Sequence, residues 1–143
     1  MSAIVLLTGC GQQAASSSSA NEDGDGTQPA GSTGPVSYAG SGRDRLCLSE
    51  AEGRAGLVIY GEGDANCGVR GTVQRSANRL TVTPEGDAAC RIEAAISGDR
   101  LILGARNSAC AYYCGPTANY AGKTFTRIAD PEPAADLAGD PLC

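Results

Sequence analysis

Seven cysteines constrain this chain more than any other feature: Cys10, Cys47, Cys67, Cys90, Cys110, Cys114 and Cys143. Aromatic residues are scarce, with five Tyr, one Phe and no Trp in 143 residues, so a core must be built from Val, Ile, Leu, Ala and cystine. A small domain with so modest a core depends on covalent staples. Six cysteines, from Cys47 onward, allow up to three bridges, and their spacing alone does not distinguish the fifteen pairings. Cys143, the last residue, predicts that the C-terminal tail is tied back onto the domain. A zinc site is not expected, because C-x2-C pairs and histidine are both absent. The C-x3-C spacing of Cys110 and Cys114 does not suit dithiol redox chemistry, so both are expected in structural bridges around a turn.

Cys10 is the odd cysteine. Leu7-Thr8-Gly9-Cys10 follows the apolar run Ala3-Ile4-Val5-Leu6-Leu7, and together they resemble the lipobox of bacterial lipoproteins: an aliphatic residue, two small residues, then cysteine. The resemblance implies cleavage before Cys10, acylation of its thiol and attachment to a membrane from outside the cytoplasm. Residues 1–9 are then the end of a signal peptide. Their apolar run is short and no Lys or Arg precedes it, so the precursor is expected to begin upstream. Gly11 in place of Asp after the cysteine implies, by the sorting habit of enteric lipoproteins, an outer-membrane anchor facing the periplasm. Export makes disulfides permissible, and lipidation of Cys10 leaves an even number to pair. The apolar run is far shorter than the about 20 residues a spanning helix needs.

Residues 10–42 read as a linker. Ser16 to Ser19 form a serine run, and Gly24, Gly26, Gly31, Gly34, Gly40 and Gly42 recur among polar residues. Such a composition buries too little apolar surface to offset the entropy of ordering. As a flexible coil it would reach roughly 30 Å. Tyr38 is expected to mark where linker and domain meet.

Net charge is −5, and all eleven cationic residues lie from Arg43 onward. No basic run or aromatic stacking platform is present, which argues against nucleic acid as a partner. The absence of histidine removes the commonest general base. The carboxylate pairs Glu62 with Asp64 and Glu85 with Asp87 lie in Gly-containing turns, where acidic residues serve turn geometry. No catalytic constellation, metal-ligand set or cofactor motif is expected.

From Arg43 the chain alternates. Cys67, Val69, Gly71 and Val73 share one face, as do Leu80 and Val82, and as do Cys90, Ile92, Ala94 and Ile96. Turn-forming residues interrupt these runs at Ser76-Ala77-Asn78, Pro84-Glu85-Gly86-Asp87 and Ser97-Gly98-Asp99. The pattern predicts an all-β domain over residues 43–129, a small antiparallel barrel or sandwich of about six or seven strands in up-and-down order. One short helix or compact loop is expected between Asn107 and Ala121, pinned by Cys110 and Cys114. Residues 130–143 form an acidic tail stapled through Cys143. Tyr112, Tyr113 and Tyr120 make the one aromatic cluster and are the candidate binding surface.

In outline, a lipid-anchored, disulfide-bonded, small antiparallel barrel resembles the membrane-bound lysozyme inhibitors of Gram-negative bacteria. Ser97-Gly98-Asp99-Arg100-Leu101 parallels their Ser-Gly-x-x-Tyr stretch, with Leu101 where that family has Tyr, and no functional residue carries over. The expected function is that of a non-enzymatic envelope lipoprotein with a binding or structural role. The alternative is an inhibitor of an exported hydrolase such as a lysozyme. The membrane, through the lipid, and an envelope protein are the expected partners.

Overall fold

The computed structural model describes residues 34–129 and 134–143. Cys10 and most of the segment read as linker lie outside the described residues. Eight antiparallel strands close into one barrel: β1 (Val36–Ala39), β2 (Arg45–Ser49), β3 (Arg54–Tyr60), β4 (Asn66–Ser76), β5 (Arg79–Pro84), β6 (Ile92–Ser97), β7 (Arg100–Leu103) and β8 (Thr124–Arg127). Each pairs with its neighbour in sequence, and β1 pairs with β8 to shut the ring. The all-β, disulfide-stapled fold and its up-and-down order match the alternation of the sequence.

The strand count is eight rather than six or seven, and the domain starts before Arg43. Val36–Ala39, assigned above to the linker, is the missing strand. It supplies a partner to both β2 and β8, with Tyr38 opposite Leu46 on one side and Arg127 on the other. Four residues are too short a run for period-two alternation to stand out among neighbouring Gly and Ser.

An eight-strand barrel is just wide enough for side chains to fill its interior. The inward set contains the faces expected for β4, β5 and β6, Val69 and Val73, Leu80 and Val82, and Ile92, Ala94 and Ile96, and adds Leu46 and Leu48, Leu57 and Ile59, Leu101 and Leu103, with Tyr38 and Phe125. Outward residues on β4 and β6 are polar or small, which is why those strands alternate cleanly.

β3 reads differently, as a continuous run Ala55-Gly56-Leu57-Val58-Ile59, and the fold supplies the reason. Its outer face is also covered. The tail from Ala134 to Cys143 lies on it as a strap, packing Ala134 and Leu142 against Cys47 and Val58. A strand buried on both faces has no polar side. Gly56 is required by this approach, because a Cβ there would stand 2.3 Å from the Leu142 carbonyl oxygen. The Cys47–Cys143 bridge anchors the strap, and Arg70 donates to the Asp136 carboxylate at 2.8 Å and to the Asp140 carbonyl at 3.2 Å. The predicted stapling of the tail is thus present. The strap folds into a small loop closed by pairing of Ala135 with Pro141.

In-order antiparallel topology fixes two poles. The connections 50–53, 77–78 and 98–99, the start of β1 and the end of β8 share one pole. The connections 40–44, 61–65, 85–91 and 104–123 share the other.

Candidate functional site

The longest connection, 104–123, closes the second pole, and its sequence explains its shape. Asn107 caps a 3-10 helix, Ser108–Tyr113, its side-chain oxygen accepting from the Ala109 amide at 3.0 Å. An Asn just ahead of Ser-Ala is the residue type that satisfies free N-terminal amides. Cys110 is bridged to Cys90, and Cys114 to Cys67. The two bridges tie the loop to β4 and to the β5–β6 connection, so the loop is held from both sides of its helix.

Polar contacts complete the attachment. The Gly115 amide donates to the Asn66 carbonyl at 2.8 Å. Thr117 Oγ1 accepts from the Glu62 amide at 3.0 Å and donates to the Glu62 carbonyl at 3.1 Å. Gly61 lies so close to Thr117 that a Cβ would stand 2.6 Å from the Thr117 carbonyl carbon. Close by in the fold, Asp44 is buried, accepting from the Tyr60 amide at 2.9 Å and from Lys123 Nζ at 3.1 Å. That pair ties the β1–β2 turn to the end of the long connection.

The structure separates the three tyrosines. Tyr120 is only 1% exposed and belongs to the core, its hydroxyl accepting from the Asn107 amide at 2.7 Å. It therefore supports the loop from below and is not part of the binding surface expected from the sequence. Tyr113 is half-buried and donates to Asp87 Oδ2 at 3.1 Å. Burial, and then this bond to a carboxylate, raises the Tyr113 hydroxyl above its ordinary pKa. Tyr112 is 91% exposed. Its ring stands edge-to-face with Tyr113, centroids 5.4 Å apart and planes at 89°, so the inner ring fixes the outer one.

Asp87 was expected only to serve its turn, and it does more. Oδ1 accepts from the amides of Ala89 and Cys90, while Oδ2 holds Tyr113. The link to Tyr113 joins residues 26 apart in sequence, and nothing in local spacing signals it. Glu62 and Asp64, and Glu85 across the pole, remain exposed. Among the described residues no three His, Cys, Asp or Glu side chains converge on a metal-sized site. A shallow groove of about 260 Å³ lies elsewhere, on the outer face of β4 to β6, lined by Gln74, Arg75, Arg79, Thr81, Arg91 and Glu93. Two of its cations are engaged, Arg75 with Glu50 at 2.7 Å and Arg79 with Glu93 at 3.7 Å.

The second pole is thus a doubly bridged cap from which the Tyr112 ring projects into solvent. Comparison of the chain with family models, with curated proteins and with solved structures found no match.

Proposed function

We propose that this chain is a non-enzymatic lipoprotein of the cell envelope, acylated on Cys10, whose barrel has a binding role. The observation that carries the proposal is the use of the cysteines. All six from Cys47 onward are paired, Cys47–Cys143, Cys67–Cys114 and Cys90–Cys110, which leaves Cys10 as the odd one. Three bridges call for an oxidising compartment, and a seventh cysteine directly after Leu7-Thr8-Gly9 has a ready fate in lipidation. The poles support the binding role. The chain enters β1 at one pole and Tyr112 stands at the other, so a tether on the N-terminal side would attach at the pole opposite the ring.

The test is the intact mass of the protein purified from its own membrane, with and without reduction. Cleavage before Cys10, added acyl chains and a gain of about two daltons per bridge on reduction are expected. An uncleaved, unlipidated chain overturns the tether. A lysozyme assay addresses the alternative role: full lysis with the purified protein in large excess is expected, and loss of lysis would assign an inhibitor instead.

A further inference from the structure

Among the described residues, the large apolar side chains left exposed are Ile102, Tyr112 and Leu137. Ile102 lies on the barrel wall and Leu137 in the strap. At the second pole Tyr112 is therefore alone. Its exposed neighbours in sequence are small or polar, Ser108, Ala109, Ala111, Pro116, Thr117 and Asn119, with Arg106 at the start of the loop. The turns to which the loop is stapled, 61–65 and 85–91, carry Glu62, Asp64 and Glu85, together with Asp87, which is engaged with Tyr113, and one cation, Arg91.

A protein interface is built on an apolar core of several side chains with a polar rim around it. This pole has one ring and no such core. A sugar has the matching shape of polarity. One face of a pyranose is a set of C–H groups that lies flat on an aromatic ring, and its edge is a ring of hydroxyls. Ionised carboxylates accept hydrogen bonds and guanidinium groups donate them, so a rim of Glu62, Asp64 and Glu85 with Arg91 and Arg106 matches a ligand rich in hydroxyls, which do both. N-acetylated amino sugars offer hydroxyls and an amide N–H. Stacking on a prominent ring needs no deep pocket, and it suits a long strand passing over the surface. Rigidity favours it further, since two bridges and the Tyr113–Asp87 bond hold the loop that carries the ring before any ligand arrives, which lowers the entropy lost on binding.

We infer that Tyr112 is the stacking platform of a carbohydrate site that takes a polymer of N-acetylated amino sugars, the glycan of the cell wall. The inference rests on the binding role proposed above and extends it: a barrel tethered at one pole meets a glycan strand with the other.

The experiment is co-sedimentation of the purified full chain, carrying Cys10→Ser so that no lipid is attached, with washed peptidoglycan sacculi. Binding is expected, with a loss of at least tenfold for Tyr112→Ala and near-full retention for Tyr112→Trp. Ile102→Ala, an exposed residue on the barrel wall, is expected to bind as the parent does. Far-ultraviolet dichroism and the thermal midpoint confirm that each variant is folded. No sedimentation of the parent, or equal losses for Tyr112→Ala and Ile102→Ala, overturns the inference. So does retention by Tyr112→Ala. Because this protein carries no lipid, the result is independent of the mass measurement: a failed tether and a failed glycan site give different negatives.

Discussion

Asp44 is the residue on which the closed end of the barrel most depends. It is 2% exposed and accepts from two partners, the Tyr60 amide and Lys123 Nζ. Asp44→Ala leaves a backbone donor and a half-buried ammonium without their acceptor, and is expected to cost about 2–3 kcal/mol. A lower urea midpoint at unchanged slope would show it, whereas a midpoint equal to the parent's would mean that water replaces the carboxylate freely. Asp136 has a different role, as a pH-dependent latch. The Asp140 amide first, then the Ala138 amide and the Arg70 guanidinium, hold its carboxyl below the ordinary value. A depressed carboxylate contributes stability above its unfolded pKa and loses it as pH falls through the folded one. The strap is therefore expected to loosen below the usual carboxylate range. Thermal midpoints followed from neutral to acid pH should fall less steeply in Asp136→Asn than in the parent.

Among the elements, β4, β5 and β6 were legible residue by residue, because one face packs inward and the other meets water. β3 was legible as a strand but its cover was not. The strap that makes Gly56 and Val58 buried is brought back from far along the chain by Cys143. β1 was missed because four residues carry too little pattern, and Tyr38, expected at the junction of linker and domain, lies within that strand and in the core. In the aromatic cluster the limit was similar. Composition places Tyr112, Tyr113 and Tyr120 in one loop, while only the packing decides that Tyr120 turns inward and Tyr112 outward. Pairing of the cysteines was equally beyond spacing. The bridges close spans of 96, 47 and 20 residues. Restriction of the unfolded chain alone would make them worth about 4.7, 4.0 and 3.3 kcal/mol respectively. Replacing each pair by alanines should lower stability in that order. If loss of Cys90–Cys110 proves the most damaging, attachment of the cap in the native state outweighs chain entropy.

For the molecule as a whole, closure is set by the seam between the first strand and the last. Only Tyr38 with Arg127 and Ala39 with Thr126 are in register there, against seven pairs between β3 and β4. A chain beginning at Arg43, the boundary suggested by composition, lacks β1 altogether. It is expected to lose cooperative thermal unfolding, while one beginning at Gly34 keeps it. Calorimetry of the two truncations decides between them, and equal transitions would show that β1 is dispensable.

A sheet with open sides offers rows of N–H and C=O groups to any similar chain nearby, and such rows seed aggregation and fibres. A ring in which every strand has two neighbours offers none. The short seam at Tyr38 and Arg127 is then the place where the ring would open, and with it the route by which these barrels would begin to stick together.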